Sequence, residues 1–136
     1  LGVTFKPNTD DMREAPSRSI IPELQQAGAR VRAHDPEGMG AAAQLLSDVT
    51  WCDGPYDAMH GADALVILTE WNQFRNLDLA RIKDSLTRPT VVDLRNIYDP
   101  TEMRERGFHY TCVGRSFGRD KPGALIADGT TVEDLA

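Results

Sequence analysis

The stretch that decides the fold runs Ala64-Leu65-Val66-Ile67-Leu68, then Thr69-Glu70-Trp71-Asn72-Gln73-Phe74, then Asp78 to Leu86, then Pro89 and Thr90-Val91-Val92-Asp93. Ala64 to Leu68 is an unbroken apolar run, the pattern of a strand buried on both faces. Asp78 to Leu86 brings Leu79, Ile82 and Leu86 to one helical face, and Thr90 to Asp93 is again β-rich. Strand, helix, strand in this order is a βαβ unit, which implies parallel strands joined by a right-handed crossover.

The same grammar extends outward. Upstream, Val3 to Phe5 reads as a first strand. Ile20, Ile21, Leu24 and Ala27 form an apolar helical face that stops at Gly28 as C-cap. Pro22 removes a backbone hydrogen bond inside that helix, so it either starts later than Ser17 or kinks in its first turns. Val31 to His34 is a strand, and Asp35-Pro36 reads as N-cap and first residue of a helix through Ala41 to Leu46. Thr50 to Cys52 and Tyr56 to His60 follow as strand and short helix. Downstream lie a helix at Pro100 to Arg106 and a strand at Phe108 to Val113. The fold class is α/β with an open, largely parallel sheet. From Ser116 to Ala136 no period survives, and Gly118, Gly123, Gly129 and scattered charges suggest a mobile tail.

The chain has 136 residues, the size of one domain, and 40% hydrophobic with 26% charged residues excludes wholesale disorder. Fifteen basic against 21 acidic residues give a net charge of -6, which repels polyanions and argues against nucleic acid. No apolar run approaches the roughly 18 residues of a membrane span, and no signal-peptide pattern opens the chain, so the expectation is a cytoplasmic protein off the membrane. Cys52 and Cys112 lack metal-ligand spacing and read as reduced and structural; no metal site is expected. The chain starts without Met, inside an expected strand, as part of a longer protein would.

In an open parallel sheet, ligands bind beyond the carboxyl ends of the strands. The first such loop, Phe5-Lys6-Pro7-Asn8-Thr9-Asp10-Asp11-Met12-Arg13-Glu14, holds no glycine. No Gly-x-Gly-x-x-Gly run occurs in the chain, so it is not expected to hold a dinucleotide unaided. Lys6 and Arg95 fall at the same edge of the sheet and suit a phosphate, Arg as a planar fork and Lys as a point charge. Alternatively, Arg95 pairs with Asp93 or Asp99, and Lys6 with Asp10, as solvated charges. Asp10 and Asp11 read as caps or partners for Arg13 rather than paired acids. Ser17 and Ser19 lack a nucleophile's setting and read as caps, and His34, His60 and His109 share no motif. Trp71 and Phe74 either bury a loop or stack on a ligand.

Four elements come in a telling order: Gly2-Val3-Thr4-Phe5-Lys6-Pro7-Asn8-Thr9-Asp10-Asp11-Met12-Arg13-Glu14; His34-Asp35-Pro36; Gly61-Ala62-Asp63-Ala64 into Thr69-Glu70-Trp71-Asn72-Gln73-Phe74; and Asp93-Leu94-Arg95-Asn96. Together they resemble the UDP-binding C-terminal domain of the UDP-glucose/GDP-mannose dehydrogenase family, over about residues 1–115. The Thr-Glu-Trp element favours the UDP-glucose branch. The resemblance implies a Rossmann-like sheet with helices on both faces. It implies a longer oxidoreductase of polysaccharide biosynthesis, homo-oligomeric, whose N-terminal domain holds NAD and whose central part carries a catalytic cysteine. That enzyme would oxidise UDP-glucose to UDP-glucuronate in two hydride transfers through a thiohemiacetal and a thioester. GDP-mannose or a UDP-N-acetylhexosamine is the alternative substrate, and a non-catalytic nucleotide-sugar-binding or regulatory module the alternative of another class. Carried over position by position, Phe5, Lys6 and Arg95 match substrate contacts, and Arg13 matches an arginine that reaches NAD across the interdomain cleft. No catalytic residue is implied for this chain, which alone is expected to be inactive. Its first strand is shorter than the family's.

Overall fold

A strand whose successive side chains are all buried must be covered on both faces, and Thr90–Asp93 is such a strand. In a computed structural model that describes residues 1–114, it is β4. The order is α1 (Ser17–Gln26), β1 (Val31–Ala33), α2 (Met39–Ala43), β2 (Val49–Trp51), α3 (Pro55–Met59), β3 (Leu65–Ile67), α4 (Asn72–Arg75), α5 (Leu79–Ser85), β4, α6 (Pro100–Glu105) and β5 (His109–Cys112). The tail expected at 116–136 lies outside the described residues.

All pairings among the described strands are parallel. β1 pairs with β2, and β4 lies between β3 and β5, with Leu65 opposite Val91 and Val91 opposite Tyr110. The core falls into two clusters. Ile21, Ala42 and Leu46 pack with Val31, Ala33, Val49 and Trp51, the alternate positions of β1 and β2. Met59, Phe74, Ile82 and Met103 pack with Leu65, Ile67, Val91 and Tyr110. Helix α3 meets β1 from the opposite side, where Arg32 donates to the His60 carbonyl. Helices therefore lie on both faces of the sheet plane.

The two sheets meet at Leu1 and Gly2. Leu1 N donates to the Val66 carbonyl at 2.5 Å, Leu68 N donates back to Leu1 O, and Gly2 N donates to His34 O. Gly2 has φ 81°, and a Cβ there would lie 2.5 Å from Thr69 Cβ, so only glycine lets the segment pass between β1 and β3. Toward the amino ends of the strands the gap between β1 and β3 opens into a groove of about 1040 Å³, lined by Leu24, Val31, Met59 and Leu65 among others.

Several expectations need correction. Val3 to Phe5 is not a strand, because Val3 N and Thr4 N donate to the Asp35 carboxylate and Phe5 N to Asp11 O. The helix after Asp35-Pro36 begins only at Met39, capped by Gly38, since the Asp35 side chain takes Glu37 N and Gly38 N and holds 36–38 in a turn. Helix α1 does start at Ser17 with Pro22 inside it, but Ser17 and Ser19 do not cap it. Ser17 Oγ donates to Val3 O at 2.6 Å and Ser19 Oγ to Pro16 O. Trp71 caps the unexpected α4 through its backbone, and both it and Phe74 are buried in the core.

Candidate functional site

Two buried carboxylates shape the loops at the carboxyl ends of the strands. Asp35, fully buried beyond β1, accepts from Val3 N, Thr4 N, Thr4 Oγ1, Glu37 N and Gly38 N. Burial alone would raise its pKa, but the backbone N–H donors overcome that and hold it below the usual carboxylate value. The result ties the Thr4-Phe5-Lys6 segment to the end of β1. Asp93, fully buried at the end of β4, accepts from Arg95 N, Ile97 N, Tyr98 N and, at 2.5 Å, Tyr110 Oη. It wraps residues 95–98 around its own carboxylate. The Tyr98 hydroxyl, its pKa pushed well up by burial and then by Asp93, donates to Phe74 O.

Arg95 sits on this scaffold and joins the loops. Its Nε donates to Leu68 O at 2.8 Å, its Nη2 to Phe5 O at 3.3 Å, and Nε lies 3.2 Å from Glu70 Oε2. The two segments bearing Lys6 and Arg95, 89 residues apart in sequence, are thus in direct contact. The side chains of Arg95 and Glu70 are each 29% exposed, so the guanidinium is anchored yet accessible. Neither expected alternative pairing occurs: the Arg95 side chain pairs with Glu70, not Asp93 or Asp99, and Lys6 makes no ion pair among the described residues. Phe5 is 42% exposed beside them, an aromatic face open to solvent. One cation held by three protein acceptors, one unpaired cation and an exposed ring make an edge suited to a phosphorylated ligand with a flat or apolar part.

Arg13 stands apart, with a side chain 89% exposed. It closes a fork on Asp11, with Nε 3.1 Å from Oδ1 and Nη2 3.0 Å from Oδ2. The Asp11 pKa falls to about 2, through the Arg13 side chain first and its backbone N–H second, with a smaller contribution from the Lys6 charge. Asp11 is therefore Arg13's partner, as one reading of the loop had it.

Cys52 is not activated as a nucleophile: its Sγ donates to Thr50 O, and burial pushes its thiol pKa up. Among the described residues no group of His, Cys, Asp and Glu is placed to hold a metal ion, and no helix is long and apolar enough to cross a membrane. Glu70, Asp35, Asp93 and Tyr110 were not singled out for function by the sequence. The first three lie within quoted motifs, which is the signal that marks them; Tyr110 carries none.

A model of the UDP-glucose/GDP-mannose dehydrogenase family, UDP binding domain, matches residues 1–100. The chain is 52% identical over 115 residues to a UDP-glucose 6-dehydrogenase of Rhizobium meliloti (strain 1021), covering 85% of this chain and 26% of that protein. It is 47% identical over 120 residues to a UDP-glucose 6-dehydrogenase of Pseudomonas aeruginosa, covering 84% and 26%. Among solved structures, an NDP-N-acetyl-D-galactosaminuronic acid dehydrogenase from Methanosarcina mazei superposes with a TM-score of 0.74 at 30% identity, over 85% of this chain and 24% of that one. A UDP-glucose dehydrogenase from Pyrobaculum islandicum gives 0.64 at 34% identity, over 82% and 23%. The chain spans about a quarter of the length of the curated relatives it matches.

Proposed function

The chain belongs to the UDP-glucose/GDP-mannose dehydrogenase family, and we propose that it is the substrate-closing, UDP-binding part of an NAD-dependent UDP-glucose 6-dehydrogenase. The observation that carries this reading is the Arg95 bridge, which draws the Phe5-Lys6 segment and the Arg95-Asn96 loop into one edge. In this reading the exposed part of the Arg95 guanidinium meets the diphosphate, Lys6 adds a mobile point charge, and Phe5 packs against the nucleotide. Residues 1–115 make up the domain.

The sequence holds no Gly-x-Gly-x-x-Gly turn of the kind that cradles a dinucleotide, and Arg13 is the residue this reading offers to the cofactor. NAD, which accepts hydride from the sugar's C6, is in this reading held by another part of the longer protein. Arg13, oriented by Asp11, reaches it from across a cleft. The longer protein would be a cytoplasmic homo-oligomer turning UDP-glucose into UDP-glucuronate.

Steady-state kinetics of the full-length enzyme test the assignment. Arg95→Ala should raise KM for UDP-glucose by a factor corresponding to about 1.5–3 kcal/mol and leave KM for NAD nearly unchanged. Arg13→Ala should do the reverse. Equal effects of either variant on both ligands, with the fold intact by circular dichroism, would refute the division of roles, and faster turnover of GDP-mannose or a UDP-N-acetylhexosamine than of UDP-glucose would refute the substrate.

A further inference from the structure

The Glu70 carboxylate poses a problem of sign. It lies 3.2 Å from Arg95 Nε, at the edge where an anionic ligand is expected. By Coulomb's law alone a carboxylate there repels a diphosphate, so removing it should tighten binding. The geometry around it favours the opposite result.

The guanidinium has one edge turned inward: Nε donates to Leu68 O, and Nη2 to Phe5 O. Glu70 stands on that same Nε edge, so its charge holds this edge toward the β3 end while the side chain stays 29% exposed. The segment bearing Glu70 is itself rigid. Thr69, fully buried, donates its hydroxyl to Thr4 O at 2.7 Å, and Trp71 is buried in the core and accepts Phe74 N at its carbonyl. A carboxylate on a fixed backbone can hold a long, rotamer-rich side chain in one orientation before ligand arrives, which removes an ordering cost from binding. The repulsion it exerts on the ligand acts at longer range than its 3.2 Å contact with Arg95, and through water-exposed surroundings that screen it.

We propose that Glu70 is a positioning residue for the sugar nucleotide, acting through Arg95 and not by touching the ligand. This rests on the reading of Arg95 as a diphosphate contact. It assigns the Thr-Glu-Trp segment a binding role that its burial in the core does not by itself suggest.

The test is a double-mutant cycle in the full-length enzyme, read as KM for UDP-glucose, KM for NAD and kcat. Glu70→Gln keeps the shape and removes the charge. It should raise KM for UDP-glucose about fivefold while changing KM for NAD and kcat less than about twofold. In an Arg95→Ala background the same substitution should have no further effect, because its only route to the ligand is gone. Glu70→Ala should follow the same pattern with a larger rise. A lower KM for UDP-glucose in Glu70→Gln would show that repulsion dominates and overturn the proposal. So would an equal rise in both backgrounds, the mark of a general structural effect. If Arg95→Ala itself leaves KM for UDP-glucose unchanged, the diphosphate reading falls, and this proposal with it. If Arg95→Ala raises KM and Glu70→Gln does not, only the positioning role is lost.

Discussion

Burying an ionised carboxylate is costly unless its lone pairs all find donors, and Asp35 and Asp93 find theirs mainly in the backbone of the loops they organise. Asp35→Asn would turn an amide NH₂ toward N–H groups that now donate, and should cost about 2–4 kcal/mol in urea unfolding. The same change at exposed Asp63 should cost under about 0.5 kcal/mol, and a similar loss at both sites would show that burial is not the cause. Asp11 offers a pH measurement. Its carboxyl titrates near 3.8 in an unfolded chain and about 2 in the folded one, so it favours the folded form above that range and loses its contribution as pH falls from about 4 to about 2. In an NMR titration Arg13→Ala should return Asp11 toward 3.8; a value that stays near 2 would show that the fork is not responsible. Phe5, Lys6, Arg13 and Arg95 were legible as candidates because they sit in contiguous motifs. The work of Asp35 and Asp93 was not legible, because their donors become neighbours only once the loops have closed. The Arg95–Phe5 contact spans 90 positions, which no local pattern encodes.

At the scale of elements, periodicity was informative wherever an element was long or wholly buried. Thr90–Asp93 falls where its β-rich run ends, and α5 occupies Leu79–Ser85 between the Asp78 and Leu86 that were expected to bound it. The four residues of α4 are too few to show a period. Val3 to Phe5 has strand composition but no ladder, because its amide groups are drawn to Asp35 and Asp11. Here the Asp35 side chain and the Asp11 backbone carbonyl outcompeted the sheet. The start of α2 moved for the same reason, since an Asp that looks like a helix cap spends its oxygens on a turn. Asp99 is a cap in the ordinary sense, accepting Thr101 N and Glu102 N ahead of Pro100 at the first position of α6. Asp99→Ala should therefore lower stability by about 1 kcal/mol with unchanged cofactor and substrate KM values, as α6 carries no residue of the candidate site. A loss below about 0.3 kcal/mol would mean that solvent serves those donors equally well.

For the molecule as a whole, the candidate site and the groove occupy opposite ends of the strands, and no proposed ligand contact lines the groove. Leu1 and Gly2 hydrogen-bond to both halves, while β4 is flanked by a strand on each side. That flanking has a time scale. In deuterated buffer the amides of Val91 and Val92 should wait for global unfolding and survive on the order of a thousandfold longer than the unpaired amides of exposed loops. Those few protons would act as a clock for the whole fold, slowing or quickening with a substitution wherever along the chain it is made.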